Sequence, residues 1–232
     1  MDIELIIKRV AEEVYNKIRT EEQSGGSSRG AADGQWIMSR MQPDMSLDAV
    51  KKACDEVKSS KARTLCIPQW FVSYAVEQLT GSGVQVATAV GRPGGTTSSF
   101  AKYAEVKQAV VAGAEAILIP VNMQLCAVGD WGGAKNDLAE SMVPCKGKAA
   151  VYAMVEVDSL SCDQLATVAE MCTSCGVDLV CLSAVVGGKV SEQQIQSVKQ
   201  KGAHTGVYGG VTQSTQAGYQ QAGACCFAAS AC

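Results

Sequence analysis

Apolar residues fall along this chain in two alternating rhythms. Short β-rich runs occur at Trp36–Met41, Thr64–Pro68, Val84–Gly91, Ala116–Val121, Ala149–Val157, Asp178–Ser183, Thr205–Gly209 and Ala224–Ala229. Between them the spacing is helical, near Leu47–Ser59, Trp70–Thr80, Ser98–Ala112, Gly133–Met142, Cys162–Cys175, Glu192–Gln200 and Thr212–Gln221. A glycine often closes the helical stretch just ahead of the next run, as in Gly83-Val84, Gly113-Ala114, Gly176-Val177, Gly202-Ala203 and Gly223-Ala224. Such a glycine suits the left-handed residue that ends a helix. A repeat of about 25–30 residues implies stacked βα units. Eight strands joined by parallel crossovers predict an α/β TIM (β/α)8 barrel over residues 36–232. An open doubly wound sheet is the alternative. No Gly-x-Gly-x-x-Gly follows the first run, which speaks against a dinucleotide-binding form of it.

Residues 1–19 read as a separate unit. Asp2 is a fair N-cap. Ile3, Ile6, Ile7, Val10, Val14 and Ile18 make one apolar stripe at helical spacing, while Glu4, Lys8, Arg9, Glu12, Glu13 and Lys17 cover the other side. Residues 20–35 are rich in Gly and Ser and read as a flexible linker. A short helix on such a tether is marginal alone, so its stripe must be buried against something. It can dock on another protein, fold back onto its own barrel or lie on a membrane surface. The mixed sign of the polar face argues against the membrane. The linker is longer than folding back requires.

Composition narrows the function classes. The net charge of −3 offers no electrostatic reason to bind nucleic acid or an anionic membrane. No apolar run approaches the roughly 20 residues of a membrane span, and no signal-peptide core opens the chain. Only 5% of residues are aromatic, and the apolar mass is mostly small and β-branched, which suits parallel strands covered by helices. Eleven cysteines, an odd number without a secretory signal, argue against a disulfide framework and for a reducing cytoplasm. Cys66, Cys181, Cys225 and Cys226 lie inside apolar runs and act there as small hydrophobes. Cys172-Thr-Ser-Cys175 has metal spacing but no second pair, and the single histidine, His204, is distant in sequence. Neither a metal nor a cofactor is expected.

Several phrases fall in an order that resembles the deoxyribose-phosphate aldolase family, from about Ser39 to the end of the chain. They are Pro43-Asp44-Met45-Ser46 with Val50-Lys51-Lys52, Leu65-Cys66-Ile67, Val90-Gly91-Arg92-Pro93-Gly94-Gly95, Glu105-Val106-Lys107-Gln108-Ala109, Gly113-Ala114-Glu115, Asn122 with Gly129-Asp130-Trp131, Gly209-Gly210 and Gly223-Ala224. The resemblance implies a TIM barrel and chemistry through a protonated imine. In that chemistry one lysine attacks an aldehyde, a second cation lowers its pKa, and an aspartate moves protons. Carried across residue by residue, the nucleophilic lysine falls at Cys181 and the second lysine at Gly206. The aspartate falls at Leu118, and the first strand's Asp-His-Thr phrase falls on Ile37-Met38-Ser39. None of these residues can form an imine.

Three groups remain as catalytic candidates. Lys189 lies on the loop after the sixth strand, where an exposed lysine reads as solvated charge. Cys181 lies at a strand end but without an evident base, and Glu156 lies at the end of the fifth strand. Lys102, Lys107, Lys135 and Lys199 sit on outer helices and read as surface charge. For a small phosphorylated or aldehyde ligand, the resemblance leaves Gly187, Gly188, Gly209, Gly210 and Ser230, with Arg92 as an added cation at the mouth. The N-terminal unit resembles the encapsulation peptide of bacterial microcompartment cargo, which binds shell proteins or other cargo through such a stripe. The expectation is a catalytically silent barrel with a structural, adaptor or small-molecule-binding role in a microcompartment lumen, with a homodimer as a further assembly. The alternative is an active aldolase or lyase that splits 2-deoxyribose 5-phosphate, or a related compound, with rearranged residues. A barrel enzyme outside this family is a third.

Overall fold

A computed structural model describes residues 35–184 and 188–230, apart from the side chains of Gln213 and Ser230. The expected N-terminal helix with Ile3, Ile6, Ile7, Val10, Val14 and Ile18, nearly all of the linker, and Gly187 lie outside the described residues.

The β-rich runs form eight strands: β1 (Gln35–Ser39), β2 (Thr64–Cys66), β3 (Gln85–Ala89), β4 (Ala116–Pro120), β5 (Ala150–Glu156), β6 (Leu179–Ser183), β7 (Thr205–Tyr208) and β8 (Cys226–Ser230). Each pairs in parallel with the next, and β8 closes on β1 in a complete barrel. Helices α1 (Leu47–Ser59), α2 (Val72–Leu79), α3 (Ser99–Val111), α4 (Met123–Ala127), α5 (Trp131–Met142), α6 (Cys162–Cys175), α7 (Glu192–Lys199) and α8 (Gln213–Ala222) fill the crossovers. The repeat therefore makes the closed TIM barrel that the sequence predicts, rather than the open sheet. Gln35 belongs to β1 rather than to the linker assigned by sequence. The short helix α4 has no counterpart in the sequence reading; Asn122 starts it by accepting from the backbone N–H groups of Gln124 and Leu125.

Local chemistry sets the helix ends. Ser161 and Gln164 form a capping box at the start of α6, as do Ser191 and Gln194 at the start of α7, each satisfying backbone donors that a helix leaves open. Gly176 ends α6 at φ 80°, a conformation that costs a side-chain-bearing residue energy. Strand alternation sorts the core into two shells. Outward-facing Leu65, Val86, Ile117, Val151, Val180 and Phe227 pack against Val50, Val106, Leu138, Leu165 and Ile195 of the helices. Inward-facing Ile37, Cys66, Ala87, Leu118, Tyr152, Leu179, Cys181, Cys226 and Ala228 fill the lumen. The barrel is thus a packed core with two ends, and site chemistry belongs to the end where the strands finish.

Candidate functional site

Inside the barrel, the register puts the positions that matter on shared levels, and Cys181 lies in the middle of β6 rather than at its end. Met154 pairs with Cys181, Cys181 with Gly206, and Gly206 with Cys226. Cys181 is buried in the lumen. Burial, with smaller contributions from Cys226, Cys66 and Cys225, pushes its thiol well above the ordinary range. Reactive cysteines are lowered by cations or helix N-termini, and at Cys181 burial acts in the opposite direction. Gly206 has no room to spare: a Cβ there would lie 3.1 Å from Leu179 Cδ2 and 3.4 Å from Cys226 Cβ. Leu118 and Ile37 fill the lumen as hydrocarbon. Ser39, buried at the end of β1, is hydrogen-bonded to the Tyr208 hydroxyl across the mouth.

Above this level, charged groups fasten the β3–α3 loop, residues 91–95. Glu156 Oε1 accepts from Gly94 N at 2.6 Å. Glu105 Oε2 accepts from Gly91 N at 2.5 Å. Lys102 Nζ donates to the carbonyls of Gly95 and Pro120, both at 3.3 Å, and to Asp137 Oδ2 of α5. This overturns the reading of Lys102 as surface charge, because it is 0% exposed. The signal was present in the sequence: Lys102, Val106 and Ala109 recur at helical spacing, and all three face inward. A buried ammonium ion needs such partners, since its desolvation is otherwise too costly. Burial also outweighs the Lys102 contact at Asp137, whose carboxyl is held above the ordinary carboxylate range.

The remaining candidates are arranged around the rim. Glu156, half-buried at the end of β5, has its carboxylate engaged with the loop. Gly188 and Lys189 are exposed after β6. Arg92 is exposed, its backbone N–H donating to Thr97 Oγ1 at 3.2 Å. Gly209 and Gly210 follow β7 with positive φ, and Gly209 N donates to Ala228 O at 2.9 Å. Ser230 ends β8 beside Ser39 in register. These positions share the strand-finishing end, and Gly187 lies outside the described residues. Lys107, Lys135 and Lys199 are exposed, as the sequence reading holds. Among the described residues every lysine except Lys102 is exposed.

Cys172 is buried and Cys175 lies with its Sγ 3.9 Å from Lys135 O. Among the described residues no three His, Cys, Asp or Glu side chains gather as metal ligands, and no helix is long and apolar enough to cross a membrane. His204 is exposed at the start of β7, at the end opposite Cys181's mouth. A cavity of about 690 Å³ also lies at that opposite end, bordered by Glu115, Lys146, Lys148 and Asp178.

No family model matches the chain. A deoxyribose-phosphate aldolase of Bacillus mycoides is 30% identical over 169 residues, which cover 72% of this chain and 76% of the relative. The enzyme of the same name from Staphylococcus carnosus is 29% identical over 161 residues, 69% of this chain and 73% of its own. Among solved structures, a Coccidioides immitis protein assigned as a deoxyribose-phosphate aldolase superposes with a TM-score of 0.80 over 94% of this chain and 93% of its own, at 19% identity. Deoxyribose phosphate aldolase from Aeropyrum pernix superposes with a TM-score of 0.73 over 90% and 92%, at 16% identity. At these identities the superpositions speak for the fold alone.

Proposed function

We propose, because this chain belongs to the deoxyribose-phosphate aldolase family, that it is a catalytically silent member in which the barrel serves as cargo or adaptor and the N-terminal stripe docks it in a bacterial microcompartment. The observation that carries the silent barrel is the placement of its amines. An imine needs a neutral amine beside a bound aldehyde. Cys181 and Gly206 occupy the two positions where the family resemblance puts lysines, and both sit in a lumen filled by hydrocarbon, thiols and tyrosines. The buried lysine, Lys102, lies among α3, α5 and the β3–α3 loop, engaged with Asp137 and two carbonyls. Glu156, the acid at the mouth, is held by the Gly94 N–H. The docking half of the reading rests on the spacing of Ile3, Ile7, Val10 and Val14 and on the Gly/Ser stretch behind them. A shell protein, or another cargo protein, is the partner that fits.

A second reading keeps the family's aldehyde-lyase chemistry on rearranged residues, favoured by Lys189 on a mouth-side loop. Borohydride trapping separates the two. The protein is incubated with acetaldehyde or 2-deoxyribose 5-phosphate, reduced, and weighed intact. We expect an unchanged mass. A stable adduct whose peptide maps to Lys189 would establish the lyase reading instead.

A further inference from the structure

The strand-starting end of the barrel carries a trough that the silent-barrel reading leaves unused. A concavity of about 690 Å³ is walled by Met142 and Val143 at the end of α5. A second, of about 470 Å³, is walled by Val76 and Leu79 of α2. Gln85 and Glu115, just at the starts of β3 and β4, line both, so the two concavities adjoin and are together called the trough. Val143, which lines the first concavity, stands out into solvent at 57% exposure. Lys146 and Lys148 border the trough on the α5 side. An exposed apolar side chain beside apolar walls in a concave surface suits the packing of another segment.

The described chain begins at the same end. Gln35 opens β1, and its backbone N–H donates to Cys225 O at 3.1 Å beneath β8. Residues 1–34 precede it and carry the apolar stripe. We propose that the stripe Ile3, Ile6, Ile7, Val10, Val14 and Ile18 of this same chain seats in the trough, so that the barrel holds its own docking segment in reserve. Reach allows it: residues 19–34, behaving as a Gly/Ser-rich coil, span about 20–24 Å. The start of β3 is two strand spacings of about 4.8 Å from the start of β1. Size allows it too, since a helix from Ile3 to Ile18 is about 24 Å long and the trough runs from α2 past β3 and β4 to α5. Charge agrees, because Lys146 and Lys148 offer cations to Glu4, Glu12 and Glu13, and Glu115 offers an anion to Lys8 or Arg9.

The inference deepens the proposed function and rests on it in one respect: a partner protein would draw on the same stripe. Trough and partner then compete. Apparent affinity for the partner falls by the fraction of molecules whose stripe is free.

The test uses the full chain, Val10→Asp and the trough variant Val143→Asp, the last at a side chain that is already exposed. Amide hydrogen exchange of peptides 76–86 and 142–151 should speed up several-fold in both variants, with the rest of the barrel unchanged. A photo-crosslinker at position 10 should link to peptide 142–148 within one molecule, at a yield independent of dilution. Exchange equal in all three proteins, or crosslinks only between molecules, overturns the proposal. Capture on an immobilised microcompartment shell protein reads the other half: the trough variant should be captured more than the full chain, and Val10→Asp less. If no form is captured while exchange and crosslinking behave as expected, the microcompartment reading fails and the internal contact stands.

Discussion

Lys102 sits one turn into α3 with its Nζ shared among Asp137 and the carbonyls of Gly95 and Pro120. A charge type alone marks such a residue as surface; its phase relative to Val106 and Ala109 marks it as inward. Phase prevails when a counter-ion is waiting, and Asp137 keeps the same phase with Ala134, Leu138 and Ser141 on α5. Asp137→Ala removes the counter-ion and leaves a buried ammonium uncompensated, so it should lower stability by about 3–5 kcal/mol, read as a drop in the urea midpoint. The double change Lys102→Met with Asp137→Leu should recover most of that loss, because two well-packed hydrophobic side chains need no counter-charge. Recovery of nothing would show that the hydrogen bonds to the loop, rather than the ion pair, matter at this site. Neither residue in isolation announces the pair: α3 and α5 meet only once the β3, β4 and β5 units stand side by side.

The β3–α3 loop is the element in which sequence and tertiary contact are most entangled. Its glycines announce a turn, but not what the turn must avoid. A Cβ on Gly95 would lie 2.2 Å from Val121 O, on a backbone held at φ 63°, whereas one on Gly81, at φ 77°, would meet nothing within 4 Å. Gly95→Ala should therefore cost the left-handed penalty of about 1–2 kcal/mol and a packing penalty of about 1–3 kcal/mol more. Gly81→Ala should cost the first alone. Thermal or urea unfolding of the two variants side by side checks the difference. Equal losses would mean that the loop gives way around Gly95 and that its fastening by Glu105, Glu156 and Lys102 is loose. The helix ends behave differently, since Ser161, Ser191 and Gly176 declare their roles within a few residues of chain.

For the whole molecule, the consequence of the altered lumen is a pH dependence. Burial pushes Cys66 and Cys226 up to about 12, and raises Cys181, Tyr152 and Tyr208 as well. Each of these groups is neutral when protonated, and the folded state favours that form. The stability they contribute is present in full below their unfolded values, about 8.5 for thiols and 10 for phenols, and is lost as pH climbs through the folded values. The barrel should hold to about pH 9 and then unfold in one cooperative alkaline transition. Tyrosinate absorbance of the buried phenols should appear together with loss of circular dichroism. Buried tyrosines that titrate several pH units before unfolding would mean that water already reaches the lumen.

The alternation of runs and helical stretches by itself determined the eight-stranded βα repeat, because each unit is written in contiguous residues whose periodicity, caps and closing glycines act locally. It also determined that no lysine stands at positions 181 and 206, a matter of residue identity. Tertiary structure alone decided which side chains share a level across strands β5 to β8, that Lys102 is paired with Asp137, that Glu156 is tied to Gly94, and that a trough opens beneath β3 and β4. Each of those depends on groups from different units of the repeat meeting in space, as Gly94 and Glu156 do from 62 positions apart, and such meetings are set by strand pairing and helix packing rather than by any one stretch of sequence.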